Sequence, residues 1–199
     1  MNNFWNERYT EKEFAYGTDA NVFLAGELEK LPAGKILFPC EGEGRNAVFA
    51  AKKGWDVTAF DLSEEGLKKA LTLAQQNKVS VKYQVADALT VEYPAESLDA
   101  VALIYAHFPA SARRTIHQKI ISWLKPGGLL ILEAFNPLQI NNTSGGPKEP
   151  SMLYTGEMLE EDFRPLKTQL LISQKITLNE GKYHQGIAYV VRYIGQKDK

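Results

Sequence analysis

The stretch Lys35-Ile-Leu-Phe-Pro-Cys-Glu-Gly-Glu-Gly-Arg-Asn-Ala47 constrains the fold more tightly than any other part of the chain. The apolar run from Ile36 to Phe38 reads as a short buried strand. Pro39 breaks it, Gly42 and Gly44 punctuate a turn, and residues 46–53 resume as a helix that ends at Gly54. Strand, glycine turn and helix bring backbone N–H groups towards a ligand at a helix N-terminus. Glycine suits the turn because a Cβ would obstruct both its backbone angles and the ligand's approach. The next segment sharpens the reading. Residues 56–60 form a second strand-like run, and Asp61 stands at its end, 17 positions beyond Gly44. A carboxylate there can accept hydrogen bonds from both hydroxyls of a ribose. The unit reads as a nucleoside-cofactor site.

Composition narrows the surroundings. With 199 residues the chain suits one domain, 1–199, with a substantial core. A net charge of −1 and mixed basic and acidic residues leave no footprint for nucleic acid or an anionic membrane. No run approaches the roughly 18 apolar residues of a membrane span, and the N-terminus lacks a signal-peptide pattern. The lone Cys40 cannot form an internal disulfide. These features suggest a cytoplasmic protein, a monomer or homodimer, acting on small molecules.

In order along the chain, residues 1–20 form an arm rich in aromatics, including Trp5, Tyr9 and Tyr16. Two readings stand for it: packing on the core, or a lid over cofactor or substrate. Asn21 is placed to cap a helix over 22–31. Ser63, with Glu64 and Glu65 after it, should cap a helix reaching Asn77. Strands are expected over 79–85, 100–105 and 129–134, with a helix from about Pro109 to Leu124 between the last two. Lys125-Pro-Gly-Gly128 reads as a turn. Residues 136–154 form a substrate-side loop, and two strand-like runs, 166–178 and 186–195, make an antiparallel hairpin.

Several of these features together resemble the class I S-adenosylmethionine (SAM) methyltransferases over nearly the whole chain. The marks are the glycine turn, Phe60-Asp61, Ala86-Asp87-Ala88 and Leu124-Lys-Pro-Gly-Gly-Leu-Leu-Ile131. Gly44-Arg-Asn46 is similar to the tellurite-resistance methyltransferases, and Phe38-Pro-Cys40 with the aromatic arm to thiopurine S-methyltransferases. The resemblance implies a Rossmann-like α/β fold, a mostly parallel seven-stranded sheet with an antiparallel C-terminal strand and helices on both faces. It implies SAM as cofactor, with Gly42, Gly44 and Asn46 at the glycine turn, Asp61 on the ribose, Asp87 on the adenine amino group, and Leu62 and Ala88 flanking the ring. Asp87 as a simple turn cap is the alternative. The family's early acidic residue is replaced by Phe38 and its first glycine by Cys40, so Glu41 or Glu43 is expected to meet the SAM ammonium.

Methyl transfer needs an in-line nucleophile held out of water more than elaborate acid–base help. Ligands of such folds lie at the carboxyl ends of the parallel strands. Tyr105 and His107 come just after the fourth strand, which makes His107 a candidate base, or else a structural histidine bonded to backbone. His184, Tyr183 and Glu180 of the hairpin, with Asn136, Tyr154, Trp5 and Tyr16, complete the expected catalytic and substrate set. His117, mid-helix, reads as structural. A thiolate, or an oxyanion of tellurium or selenium, arrives ionised and suits a site with few catalytic groups. The rival readings are an NAD-binding oxidoreductase, from Gly42-Glu-Gly44-Arg-Asn-Ala47, and a non-catalytic SAM-binding protein.

Overall fold

The computed structural model describes residues 2–199, with side chains from residue 4 onward. Seven strands form one sheet in the order β3-β2-β1-β4-β5-β7-β6. β1 (Lys35–Pro39), β2 (Asp56–Asp61), β3 (Lys82–Val85), β4 (Leu98–Ile104) and β5 (Leu124–Phe135) are parallel. β7 (His184–Lys197) pairs antiparallel with both β5 and β6 (Leu166–Glu180). The central strands are almost continuously apolar because both their faces are covered. One face packs α5 (Ala110–Trp123) through Ile116, Ile120 and Trp123. The other packs α2 (Val22–Leu28), α3 (Arg45–Lys52) and α4 (Glu64–Gln76) through Leu24, Val48 and Leu73.

Local signals explain most boundaries. Asn21 accepts from Leu24 N–H at the start of α2, and Ser63 accepts from Gly66 N–H at the start of α4. Two expectations change. Lys125-Pro-Gly-Gly128 does not interrupt the strand. β5 begins at Leu124, opposite Leu98, and rejoins β4 at Leu129 opposite Ala100, so the intervening residues bulge out. The tertiary pairing on both sides overrides the breaker residues. The strand expected over 79–85 shrinks to Lys82–Val85 at the sheet edge.

The aromatic arm starts as helix α1 (Asn2–Tyr9), packed on α4. Lys69 Nζ of α4 then anchors the next segment by donating to the Glu11 and Glu13 carbonyls at 2.6 Å. Residues 137–141 and 150–152 form two 3-10 turns, and α6 (Gly156–Asp162) starts after Thr155. Among the described residues, no helix is long and apolar enough to cross a membrane.

Candidate active site

The glycine turn lies at the carboxyl end of β1, where the fold rule places a ligand. Cys40 opens it in the left-handed conformation, φ 55°, at the position where the resembled family has its first glycine. A non-glycine residue there costs about 1–2 kcal/mol. Gly42, φ 63°, lies beneath Tyr9, whose phenol would meet a Cβ at 2.5 Å. Gly44, φ 88°, starts α3, and a Cβ on it would come 2.6 Å from that of Ala70. Gly44 is thus demanded by the close approach of α4 as well as by the turn.

Three carboxylates surround this turn, each with a different job. Asp61 accepts from Gly42 N–H at 3.0 Å and Ser63 N–H at 2.9 Å. Burial raises its pKa, against the pull of those backbone donors. Glu43 is spent on structure. One oxygen accepts from Lys69 Nζ at 2.6 Å and the other from Ala15 N–H at 2.7 Å, tying the arm to α4. Glu41 accepts from Ala47 N–H at 2.7 Å and only distantly, at 3.5 Å, from Asn46 Nδ2. Burial pushes its pKa up to about 7, because Ala47, Arg45 and Asn46 offset only part of the desolvation. Of the two glutamates expected to meet a cation, Glu41 is the one with unspent charge. Leu62 is half-buried beside Asp61, and Ala88 is buried beyond β3. Asp87 is exposed and accepts from Leu89 N–H at 2.8 Å, the geometry of a turn cap.

A second polar cluster gathers at the ends of β4, β5 and the β6–β7 hairpin. Glu133, fully buried on β5, accepts from Tyr105 Oη at 2.7 Å, Asn21 Nδ2 at 2.6 Å and Arg192 Nε at 2.5 Å. Arg45 donates to Glu180 Oε2 at 2.8 Å and to the Tyr16 and Asp19 carbonyls. His184 Nδ1 lies 3.1 Å from the same Glu180 oxygen. Tyr105 is left-handed, φ 54°, a strained conformation of the kind found at functional sites. Its ring stacks on Phe135 at 4.7 Å and meets the His184 ring edge-on at 4.7 Å. Tyr16 closes the other side of His184 at 4.4 Å.

The other residues expected at the site divide by their partners. His107 accepts from Phe135 N–H through Nε2 at 3.1 Å, so Nδ1 carries the proton and donates to the Met152 carbonyl at 2.6 Å. Burial lowers its pKa to about 4. With both nitrogens on backbone, the geometry favours the structural reading of His107 over a base. Tyr154 is fully buried, accepting from Phe108 N–H and donating to the Ala106 carbonyl. Asn136 accepts from Leu138 N–H and donates to the Val190 carbonyl, which fixes the start of the loop. Tyr183 donates to Glu11 beneath the Arg8 guanidinium, fastening hairpin to arm. Trp5 stacks on Tyr9 and so accompanies the glycine turn rather than His184. Sequence reasoning passed over Glu133 and Arg192. A lone carboxylate in the apolar run Leu129–Phe135 was the available signal, since buried charges are retained only with partners.

A sheet of this order, a glycine turn after β1 and an acidic end to β2 define the class I SAM-dependent methyltransferase fold. Residues 36–128 match the family model of a methyltransferase domain. It is 30% identical over 115 residues to 2-methyl-6-phytyl-1,4-hydroquinone methyltransferase of Synechocystis, covering 56% of this chain and 35% of that protein. It is 24% identical to glycine N-methyltransferase of Rattus norvegicus, covering 87% and 62% of the two chains. The chain therefore spans less than two-thirds of either relative. Among solved structures, TehB of Haemophilus influenzae superposes with a TM-score of 0.73 at 13% identity, over 99% of this chain and 67% of that one. A SAM-dependent methyltransferase of Methanosarcina mazei gives 0.71 at 18% identity, over 90% and 99%. The fold is shared by both.

Proposed function

We propose that the protein is a SAM-dependent methyltransferase that acts on a small-molecule acceptor, with a thiol favoured over an oxyanion of tellurium or selenium. The observation that carries the reading is the pairing of Asp61 with the Gly42 amide beside the under-compensated Glu41. Asp61 retains lone pairs for a ribose, and Glu41 has a buried charge suited to an ammonium. Gly42 and Asn46 line the same turn, while Leu62 and Ala88 offer apolar contacts for adenine. SAM supplies an electrophilic methyl group on a sulfonium. The chain's part is to orient the acceptor against it and exclude water.

The acceptor preference rests on charge. Arg45 and Arg192, the guanidinium groups inside the polar cluster, are already paired with Glu180 and Glu133. An oxyanion would have to compete with those carboxylates. Relatives named for a hydroquinone, for glycine and for phosphoethanolamine differ in acceptor chemistry, so likeness alone favours none. Against an oxidoreductase, the sheet turns antiparallel after β5, with no second mononucleotide-binding half among the described residues.

Calorimetry with SAM, S-adenosylhomocysteine and NAD tests the proposal. Binding of the first two, lost in Asp61→Ala and absent for NAD, is the expected result. Binding of NAD alone would overturn it.

A further inference from the structure

Resting on the methyltransferase reading, we infer that His184, oriented by Glu180, takes a proton from the acceptor, so that the acceptor is a neutral thiol that enters the site still protonated. A pre-ionised anion has no use for such a group.

The geometry is specific. A carboxylate only accepts hydrogen bonds, so the 3.1 Å contact with Glu180 puts the proton of neutral His184 on Nδ1. That leaves a lone pair on Nε2, which has no hydrogen-bond partner among the described residues. The Glu180 carboxylate is held ionised: burial opposes its charge, but His184 and Arg45 outweigh that and lower its pKa. Burial in turn lowers the pKa of His184, against the pull of Glu180, which keeps the ring neutral at pH 7 with its Nε2 lone pair unprotonated. The other two histidines stand in different surroundings. Both nitrogens of His107 are occupied by backbone. His117 also sets Nδ1 on a carboxylate, Asp162, and leaves Nε2 without a partner, but it is 0% exposed within the α5–α6 contact, where no acceptor reaches it.

The imidazole is also held in place. Tyr16, Tyr105 and Phe135 pack around it with centroids 4.4, 4.7 and 5.4 Å away. Gly145, φ 119°, presses backbone against the ring, where a Cβ would come 2.5 Å from Cδ2. Tyr105 and Phe135 close β4 and β5, so the ring sits at the carboxyl ends of two central strands. The charged and titratable groups around it are Glu180 directly, Arg45 through Glu180, Tyr16 and Tyr105 through their rings, His107 across the Phe135 ring, and Glu133 behind Tyr105.

The step balances. The thiol sulfur bonds the methyl carbon as the methyl–sulfonium bond breaks, and the S–H proton passes to Nε2. The sulfonium's positive charge thus ends on an imidazolium beside Glu180, which later releases its proton to water. Glu180 and Arg45 are positioning residues and touch no reacting atom.

The test has two parts. Long-range nitrogen NMR of the wild type, with its three histidines, is expected to show His184 as the Nδ1–H tautomer at pH 7. An Nε2–H tautomer overturns the inference. Turnover is then compared for 2-mercaptoethanol, protonated at pH 7, and for an electron-poor thiophenol, already ionised. His184→Asn should reduce turnover of the first by on the order of 10²-fold, at least about tenfold more than that of the second, and abolish the acid limb of the kcat/KM profile. Equal losses, or a wild type that methylates only the thiophenol or neither thiol, overturn it. Calorimetry on the same samples separates the two levels. Absence of SAM binding defeats the methyltransferase reading itself, whereas SAM binding alongside any of those failures defeats only the role of His184.

Discussion

The phenol of Tyr9 lies directly over Gly42, so close that a Cβ on the glycine would sit 2.5 Å from the hydroxyl oxygen. An aromatic from the first helix is thus seated on the turn that the whole Rossmann-like unit is built around. Around it Asn6 accepts from Ser63 Oγ at 2.6 Å, and Tyr83 donates to the Gly42 carbonyl at 2.6 Å. The arm covers the glycine turn while Tyr183 and Lys182 fasten its far end through Glu11.

Replacing Gly42 with alanine should cost stability twice, through the left-handed backbone and through displacement of Tyr9. The backbone contribution alone is about 1–2 kcal/mol. Thermal denaturation measures it, and an unchanged midpoint would contradict the packing described.

Glu41 should make SAM binding depend on pH. Its folded-state pKa is raised to about 7. Free protein therefore has the stability associated with neutral Glu41 below the usual carboxylate range and loses it as pH rises through about 7. A ligand ammonium beside Glu41 favours the ionised form, so SAM affinity should increase from pH 6 to pH 8 (roughly one unit either side of that pKa). In Glu41→Gln the profile should flatten and affinity fall. Calorimetry across that range decides it, and a flat wild-type profile would remove Glu41 from the ammonium's contacts.

Acid should loosen the fold through His107. Its pKa is lowered by burial to about 4 from an unfolded value near 6.5. A depressed pKa contributes stability that is present above the unfolded value and lost as pH falls through the folded one. Urea midpoints should therefore fall between about pH 6.5 and 4. His107→Gln should be less stable at pH 7 but show a shallower decline. Equal slopes for the two proteins would count against the assignment.

Asp162 is the anchor of α6. It accepts from Arg113 Nε at 2.6 Å and His117 Nδ1 at 2.9 Å while itself 1% exposed. Asp162→Ala strands a part-buried guanidinium and a buried imidazole whose Nε2 already lacks a partner. The loss should be on the order of 3 kcal/mol, read from denaturant unfolding. SAM affinity should persist in the folded fraction, because this contact lies on the α5 side of the sheet.

The parallel core was legible in the chain because its signals are local. An apolar run such as Leu98–Ile104 suits a strand covered on both faces whatever its neighbours, and Asn21 and Ser63 cap helices through atoms a few residues away. The meeting of Asp61 with the glycine turn was legible for the same reason: strand end and turn lie close in sequence. Lys125-Pro-Gly-Gly128 misled because breaker chemistry is local, whereas the bulge that absorbs it depends on β4. His107 was ambiguous, since its two partners, Met152 and Phe135, come from separate segments.

The sequence by itself determined the elements, their hydrophobic faces and the glycine turn, because periodicity, capping and backbone angles act over a few residues. Only the tertiary structure decided which carboxylate keeps an uncompensated charge and which histidine keeps a free nitrogen beside the ends of β4 and β5. Glu41 differs from Glu43 because Lys69, 26 residues on from Glu43, reaches one and not the other. His184 differs from His107 because Glu180, held by Arg45 from across the chain, occupies one nitrogen and leaves the other open. Solvation and pairing of a buried group are set by whatever the fold brings beside it, and those neighbours are distant in sequence.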